Sequence, residues 1–173
     1  QDPDMLDAAA QLAATRRVSR AAQEDFAILS HQKAIDALAR LHNEIVPIAD
    51  IDSDQFTRQV SPRLCAKLPV LTGDAETGLT AATTAVEADG AGLCLLVSEA
   101  MLKAHPQWQD RAVKLCGGIS RGSEPAMPAL APIPAIQHIL QQLELRASDI
   151  SVIEMMEAFA VQAMACLNET HLP

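Results

Sequence analysis

Residues 90–97, Gly90-Ala91-Gly92-Leu93-Cys94-Leu95-Leu96-Val97, form an unbroken apolar run behind Asp89. Such a run offers no polar face to water. It therefore reads as a strand covered on both sides, as in parallel sheets flanked by helices. A strand of that kind needs layers above and below it, so the rest of the chain has to supply helices with apolar faces. Several stretches fit. Leu6 to Arg17 is Ala-rich and closes on two arginines, where cations suit the helix dipole. Ser19 is a good N-cap for a second helix from Arg20 to Leu41. Phe26, Ile28, Leu29, Ile35, Leu38 and Leu41 mark its apolar face.

Ser98 and Glu99 open a short helix that ends near His105-Pro106. Ile136, Ile139, Leu140 and Leu143 step as an amphipathic helix with Pro134 in its first turn. Glu157 to Asn168 is apolar enough to be a buried helix. Three further strands are expected: Glu44 to Ile48, held at an edge by Pro47, then Ala112 to Leu115, and Asp149 to Met155. Pro62 to Thr77 reads as irregular and Gly117 to Pro132 as a connection. Helix, strand and helix at the end make half of an α/β unit.

Composition removes whole classes of function. Of 173 residues, 49% are hydrophobic and only 2% aromatic, with a net charge of −9. So few rings and so much negative charge argue against a nucleic-acid surface. No apolar run is long enough to span a bilayer, and the acidic, polar opening Gln1–Asp7 does not read as a signal peptide. Cys65, Cys94, Cys116 and Cys166 form no CxxC or zinc spacing and are expected as free thiols in a reducing compartment.

Four stretches could carry chemistry. Leu115-Cys116-Gly117-Gly118 places a thiol at a glycine turn, but only Lys114 stands near to lower its pKa, so a structural cysteine is expected. Cys94, inside the apolar run, is expected to be an inert core thiol. Glu154 and Glu157 flank a strand-to-helix turn; there they either cap the helix or stand where α/β sheets build sites. Thr80 to Ala85 is a stretch of small residues suited to close approach of a ligand or to tight packing. His31 and His42 read as ordinary helix residues. Asp50 to Asp54 has the alternating acids of a calcium loop but lacks its glycine, and Ser61 stands where its final glutamate belongs, so no metal is expected.

Met156-Glu157-Ala158-Phe159-Ala160 resembles the Asn-Glu-Ala-Phe-Ala motif of thiolases, which condense or cleave acyl-CoA thioesters. Val18-Ser19-Arg20, Gln23, Asp25-Phe26-Ala27 and Ser30-His31-Gln32-Lys33-Ala34 resemble the helical loop-domain signature of that family. Glu44-Ile45-Val46-Pro47, Ala66-Lys67-Leu68 with Pro69, Thr80-Ala81-Ala82, Asp89-Gly90-Ala91, Ser98-Glu99-Ala100 and Pro132-Ile133-Pro134-Ala135 follow in the family's order.

The resemblance implies an α/β fold present in part: the loop domain, the end of the first βαβαβαββ half and the start of the second. The implied boundaries are 1–77 for the CoA-binding loop domain, 78–116 for the end of the first half and 117–173 for the start of the second. It further implies that the nucleophilic cysteine lies upstream of Gln1, and that the Gly-His-Pro histidine and the Cys-x-Gly-Gly-Gly cysteine lie beyond Pro173. The chain alone is then expected to be inactive.

The implied substrate is an acyl-CoA or CoA thioester, with no separate cofactor. The implied partners are the remaining thiolase segments or another subunit, most simply in a homo-oligomer. The implied location is the cytoplasm, or an organelle matrix in a eukaryote. Met5 corresponds to a pantetheine contact, and Ala158 and Phe159 to the lining of the acyl pocket. Several positions depart, among them Thr83, where many members carry Asn, and Asp4 and Leu6, where many have His and Gly on either side of the Met; two more bear most on function. Met156 stands where the family has the Asn or His of an oxyanion hole, and a thioether donates no hydrogen bond. Ala85 stands where many members carry a Ser that contacts pantetheine. Both departures leave a second reading open, a non-catalytic CoA-binding or scaffold subunit.

Overall fold

The computed structural model describes residues 3–173, and it divides into two compact units. One comprises residues up to Val86 together with Ile119–Pro173; the other is Glu87–Gly118.

In the larger unit, α1 (Met5–Arg16) starts because the Asp4 side chain accepts from the backbone N–H groups of Leu6 and Asp7. It stops at Arg17, which takes a left-handed conformation with φ of 54°. α2 (Arg20–Leu41) begins at the expected cap, where Ser19 Oγ accepts from Ala22 N. α3 (Pro62–Cys65) is a single turn capped by Ser61, inside a stretch expected to be irregular. α5 (Pro132–Gln142) and α6 (Ala160–Thr170) follow, α6 starting later than its apolar pattern suggests. A 3₁₀ turn, Pro128–Leu130, precedes α5.

The core is small-residue packing around one aromatic ring. Ala9, Ala10, Leu12 and Ala13 of α1 meet Leu79, Ala129, Phe159, Val161 and Ala165. Alanines on facing helices let the backbones approach closely, and Leu12, Leu79, Phe159 and Val161 supply most of the side-chain volume. α6 is buried along most of its length, as its composition requires. At its edge Arg16 of α1 reaches Glu169 at 2.7 Å.

The apolar face read into α2 is only partly used. α2 fully buries Gln23 and Ala27 alone, whereas Leu29, Leu38 and Leu41 are exposed. What fixes the first turn of the helix is polar. Arg20 donates to Glu24 Oε1 (2.6 Å) and to the carbonyls of Cys65 (2.8 Å) and Leu68 (2.9 Å). Gln23, fully buried, donates to Val18 O and Thr77 O. These bonds tie the start of α2 to the loop 65–79, whose own turn is organised by Asp74. Gly78 lies so close to that turn that a Cβ there would sit 2.3 Å from Asp74 O.

The smaller unit contains α4 (Glu99–Ala104), capped by Ser98 as expected, and a 3₁₀ helix, Pro106–Arg111. His105 and Trp108 stack with ring centroids 4.3 Å apart.

The four expected strands differ from what forms. Among the described residues the backbone pairs only at isolated bridges, Ile48 with Ile51, Thr72 with Leu79 and Thr84 with Phe159. Segments 90–97, 112–115 and 150–155 have no ladder partner. The reading of 90–97 as a doubly covered strand is therefore corrected. Leu93 is 104% exposed, Leu95 and Leu96 are also exposed, and nothing lies within 4 Å of a Cβ built at Gly90 or Gly92. A ladder needs a second strand about 4.8 Å away, and these residues provide none. Cys94 is likewise exposed and is not a core thiol. Cys116 is exposed too, whereas Cys65 and Cys166 are buried, and burial pushes both of those thiols up.

Candidate functional site

Two distant stretches of sequence meet at the start of α6. Ala85 N donates to Ala158 O and Ala160 N donates to Thr83 O, each at 2.9 Å. These bonds clamp the turn 157–160 onto the small-residue stretch that ends at Val86. That stretch packs tightly on one side and borders open space on the other. Thr80 and Thr83 are buried and bond one another, Thr83 Oγ1 accepting from Thr80 N at 3.0 Å. Ala81, Ala82 and Ala85, together with Thr83 and Thr84, line a cleft of about 260 Å³.

α2 forms one wall of the cleft through Phe26, Ala27, Ser30 and His31. A second wall is the loop Asp54 to Arg58. Asp54, in the acidic stretch once compared with a calcium loop, builds an Asx turn instead: its carboxylate accepts from Phe56 N and from both Thr57 N and Thr57 Oγ1. Those bonds, the Thr57 hydroxyl first, hold the Asp54 carboxyl below its usual range. The loop reaches α2 where Arg58 N approaches His31 Nδ1 at 3.5 Å. Among the described residues no three His, Cys, Asp or Glu side chains converge as a metal site.

The bonds that hold the Asp54, Asp74 and Asp149 turns make acid stability predictable. Each carboxyl is lowered by hydrogen bonds: from Thr57 to Asp54, from Thr77 to Asp74 and from Arg146 to Asp149. A depressed folded pKa stabilises above the unfolded value and is lost as pH falls through the folded value. Thermal melts are expected to show a constant midpoint above about pH 5 and a decline below about pH 4. A variant carrying Asp54→Asn, Asp74→Asn and Asp149→Asn should decline less steeply; an unchanged slope would assign the acid sensitivity elsewhere.

The five expected site residues are only partly brought together. Ala85, Ala158 and Phe159 meet through the backbone bridge. Ala85 lines the cleft, but Phe159 is 6% exposed and its ring belongs to the core. Met5, the first residue of α1, and Met156, 80% exposed on the extended segment before α6, do not line the cleft. Glu157 does, and its Oε2 accepts from Ser30 Oγ at 2.7 Å. Residue types alone left out Ser30, Thr57 and Arg58. Their signal was weak: an Asx-turn aspartate followed by an arginine, and a serine on the helix face shared by Phe26 and Ala27.

The family model of the thiolase N-terminal domain matches residues 4–100, and that of the thiolase C-terminal domain matches residues 110–173. The 3-ketoacyl-CoA thiolase of Photorhabdus laumondii is 33% identical over 181 residues, covering 95% of this chain and 45% of the relative. The chain spans about half the length of the curated relatives it matches. Human mitochondrial 3-ketoacyl-CoA thiolase, solved in complex with CoA, shares 28% identity, with a TM-score of 0.84 over 98% of this chain and 44% of that one. The acetyl-CoA acetyltransferase of Bacillus anthracis shares 25% identity, with a TM-score of 0.85 over 100% of this chain and 47% of that one. The fold is thus the α/β thiolase type, present in part. With one family model matching more than half of the sequence and a second covering most of the remainder in the same order, the chain belongs to the thiolase family.

Proposed function

We propose that this chain supplies the CoA-thioester-binding portion of a thiolase-type acyltransferase, which condenses acyl-CoA units or cleaves a 3-ketoacyl-CoA. The observation that carries the reading is the cleft between α2, the Asp54–Arg58 loop and the clamped turn 157–160. Its floor of Ala81, Ala82 and Ala85 suits a slender, partly apolar arm such as pantetheine. Arg58 is the one arginine or lysine lining the cleft among the described residues, and it forms no ion pair there. On a chain of net charge −9, it is the group to meet the anionic phosphates of CoA. The human relative solved with CoA supports the ligand class.

Residues 1–77 then act as the loop domain, 78–116 close the first thiolase half and 117–173 open the second. The remaining thiolase segments or a second subunit, in a homo-oligomer of the cytoplasm or an organelle matrix, complete the enzyme. The family's Gly-His-Pro and Cys-x-Gly-Gly-Gly motifs do not occur in this sequence, and the chain alone is proposed to bind without turning over its ligand, because a thiol nucleophile requires a positioned base. Met156 and Ala85 favour a second reading, a CoA-binding or scaffold subunit without turnover.

Calorimetric titration of the chain with CoA tests the binding, paired with a thiolysis assay on a 3-ketoacyl-CoA. Binding without cleavage is expected, with Arg58→Ala weakening CoA by about tenfold, the scale of one charged hydrogen bond. Equal CoA affinity in the Arg58→Ala variant would remove the phosphate role. Cleavage by the chain alone would overturn its assignment as a binding portion.

A further inference from the structure

Ser30 and Glu157 are 127 positions apart in sequence, yet Ser30 Oγ lies 2.7 Å from Glu157 Oε2. Among the described residues this is the one side-chain hydrogen bond from α2 to the segment entering α6. Both residues line the cleft. The turn 157–160 is therefore held on two sides: to the cleft floor by Ala85 N to Ala158 O and Ala160 N to Thr83 O, and to the α2 wall by Ser30. The backbone bonds fix where the turn lies but leave the Glu157 side chain free about its torsions. Among the described residues, only the serine bonds the carboxylate.

We infer that Ser30 is a positioning residue whose hydroxyl holds the Glu157 carboxylate against α2, out of the space above Ala81, Ala82 and Ala85 through which a thioester arm would pass. The inference rests on the CoA-thioester reading above and adds a residue to it. Without the hydroxyl, a solvated carboxylate hangs beside a floor of Ala81, Ala82, Thr83, Thr84 and Ala85. A ligand entering the cleft must then strip its water or push it aside, and a desolvated, unpaired anion is costly. The cost is set by Glu157, so it disappears when Glu157 is removed together with Ser30. Loss of helix packing alone would not show that cancellation.

A double-mutant cycle on the 173-residue chain tests this, read by calorimetric titration with acetyl-CoA and by urea unfolding. Ser30→Ala is expected to weaken acetyl-CoA binding about fivefold, and Ser30→Thr to stay within about twofold of wild type. Adding Glu157→Ala to Ser30→Ala should restore most of the loss, and the two substitutions should be non-additive in urea as well. Wild-type affinity in Ser30→Ala, or losses that multiply in the double variant, would overturn the inference. Failure of the wild-type chain to bind acetyl-CoA would instead overturn the functional reading. In that case additive effects in urea would overturn the Ser30–Glu157 link itself, and coupled effects would uphold it.

Discussion

Phe159→Ala is expected to cost about 3–5 kcal/mol, toward the upper end of that range for a core aromatic. The reason lies in its neighbours. Phe159 packs among Ala9, Ala10, Ala13, Ala129 and Ala165, with Leu12, Leu79 and Val161 beside them. Alanine has no side-chain torsion with which to move into a void, so the cavity stays open and its cost is kept. The backbone of the same residue bridges to Thr84, so the void opens at the point where the cleft floor joins α6. Against a typical stability of about 5–15 kcal/mol, such a loss is a large fraction of the whole. Urea unfolding followed by far-ultraviolet circular dichroism measures it. Phe159→Leu, which keeps most of the volume, should lose far less. A cost below about 1 kcal/mol for Phe159→Ala would show that the ring does not fill the core as described.

Phe159 also shows how far residue patterns reach. Two helix starts were legible because they are local chemistry. Ser19 and Ser98 cap the helices that follow them, and α2 runs over the residues that its spacing predicts. The burial of α6 was legible from its composition. The fixing of α2 was not: its leucines suggested an apolar face, but Arg20 and Gln23 hold it through carbonyls of the loop 65–79, and no periodicity encodes such bonds. At the site, the motif around Glu157 was readable. That Phe159 belongs to the core and Glu157 to the cleft follows from the direction in which each side chain leaves a clamped turn.

The strands teach a different lesson. An apolar segment such as 90–97 says that its residues suit a covered sheet, which is a statement about partners as much as about the segment. The chain aligns with under half of the human and Bacillus anthracis structures, and among its described residues no strand lies beside Leu93, Leu95 or Leu96. The pattern therefore describes residues suited to a covered sheet while overstating what this chain forms with its own residues; the fold family was legible in the motifs instead.

Met156→Asn is expected to raise the thiolysis rate of an enzyme completed around this chain by about 100-fold, up to about 1,000-fold. Met156 sits one residue before Glu157, and we propose, from the resemblance of this stretch to the family motif, that it occupies the position of the Asn or His of an oxyanion hole. A thioether sulfur accepts weakly and donates nothing, whereas an amide NH₂ supplies two donors. Stabilising a developing oxyanion with one such donor accounts for a rate factor of that size. Because Met156 is exposed on an extended segment, exchanging it fills no cavity and opens none, so stability should stay within about 0.5 kcal/mol. The gain should appear in kcat, with KM changed little, since the donor acts on charge that develops only in the transition state. An equal or lower kcat in a folded variant would mean that another group donates at this position or that the site has given up turnover, which is the second functional reading. CoA titration of the same variant then separates those two outcomes. Affinity retained without turnover, in a completed protein whose nucleophile is present, identifies a binding subunit.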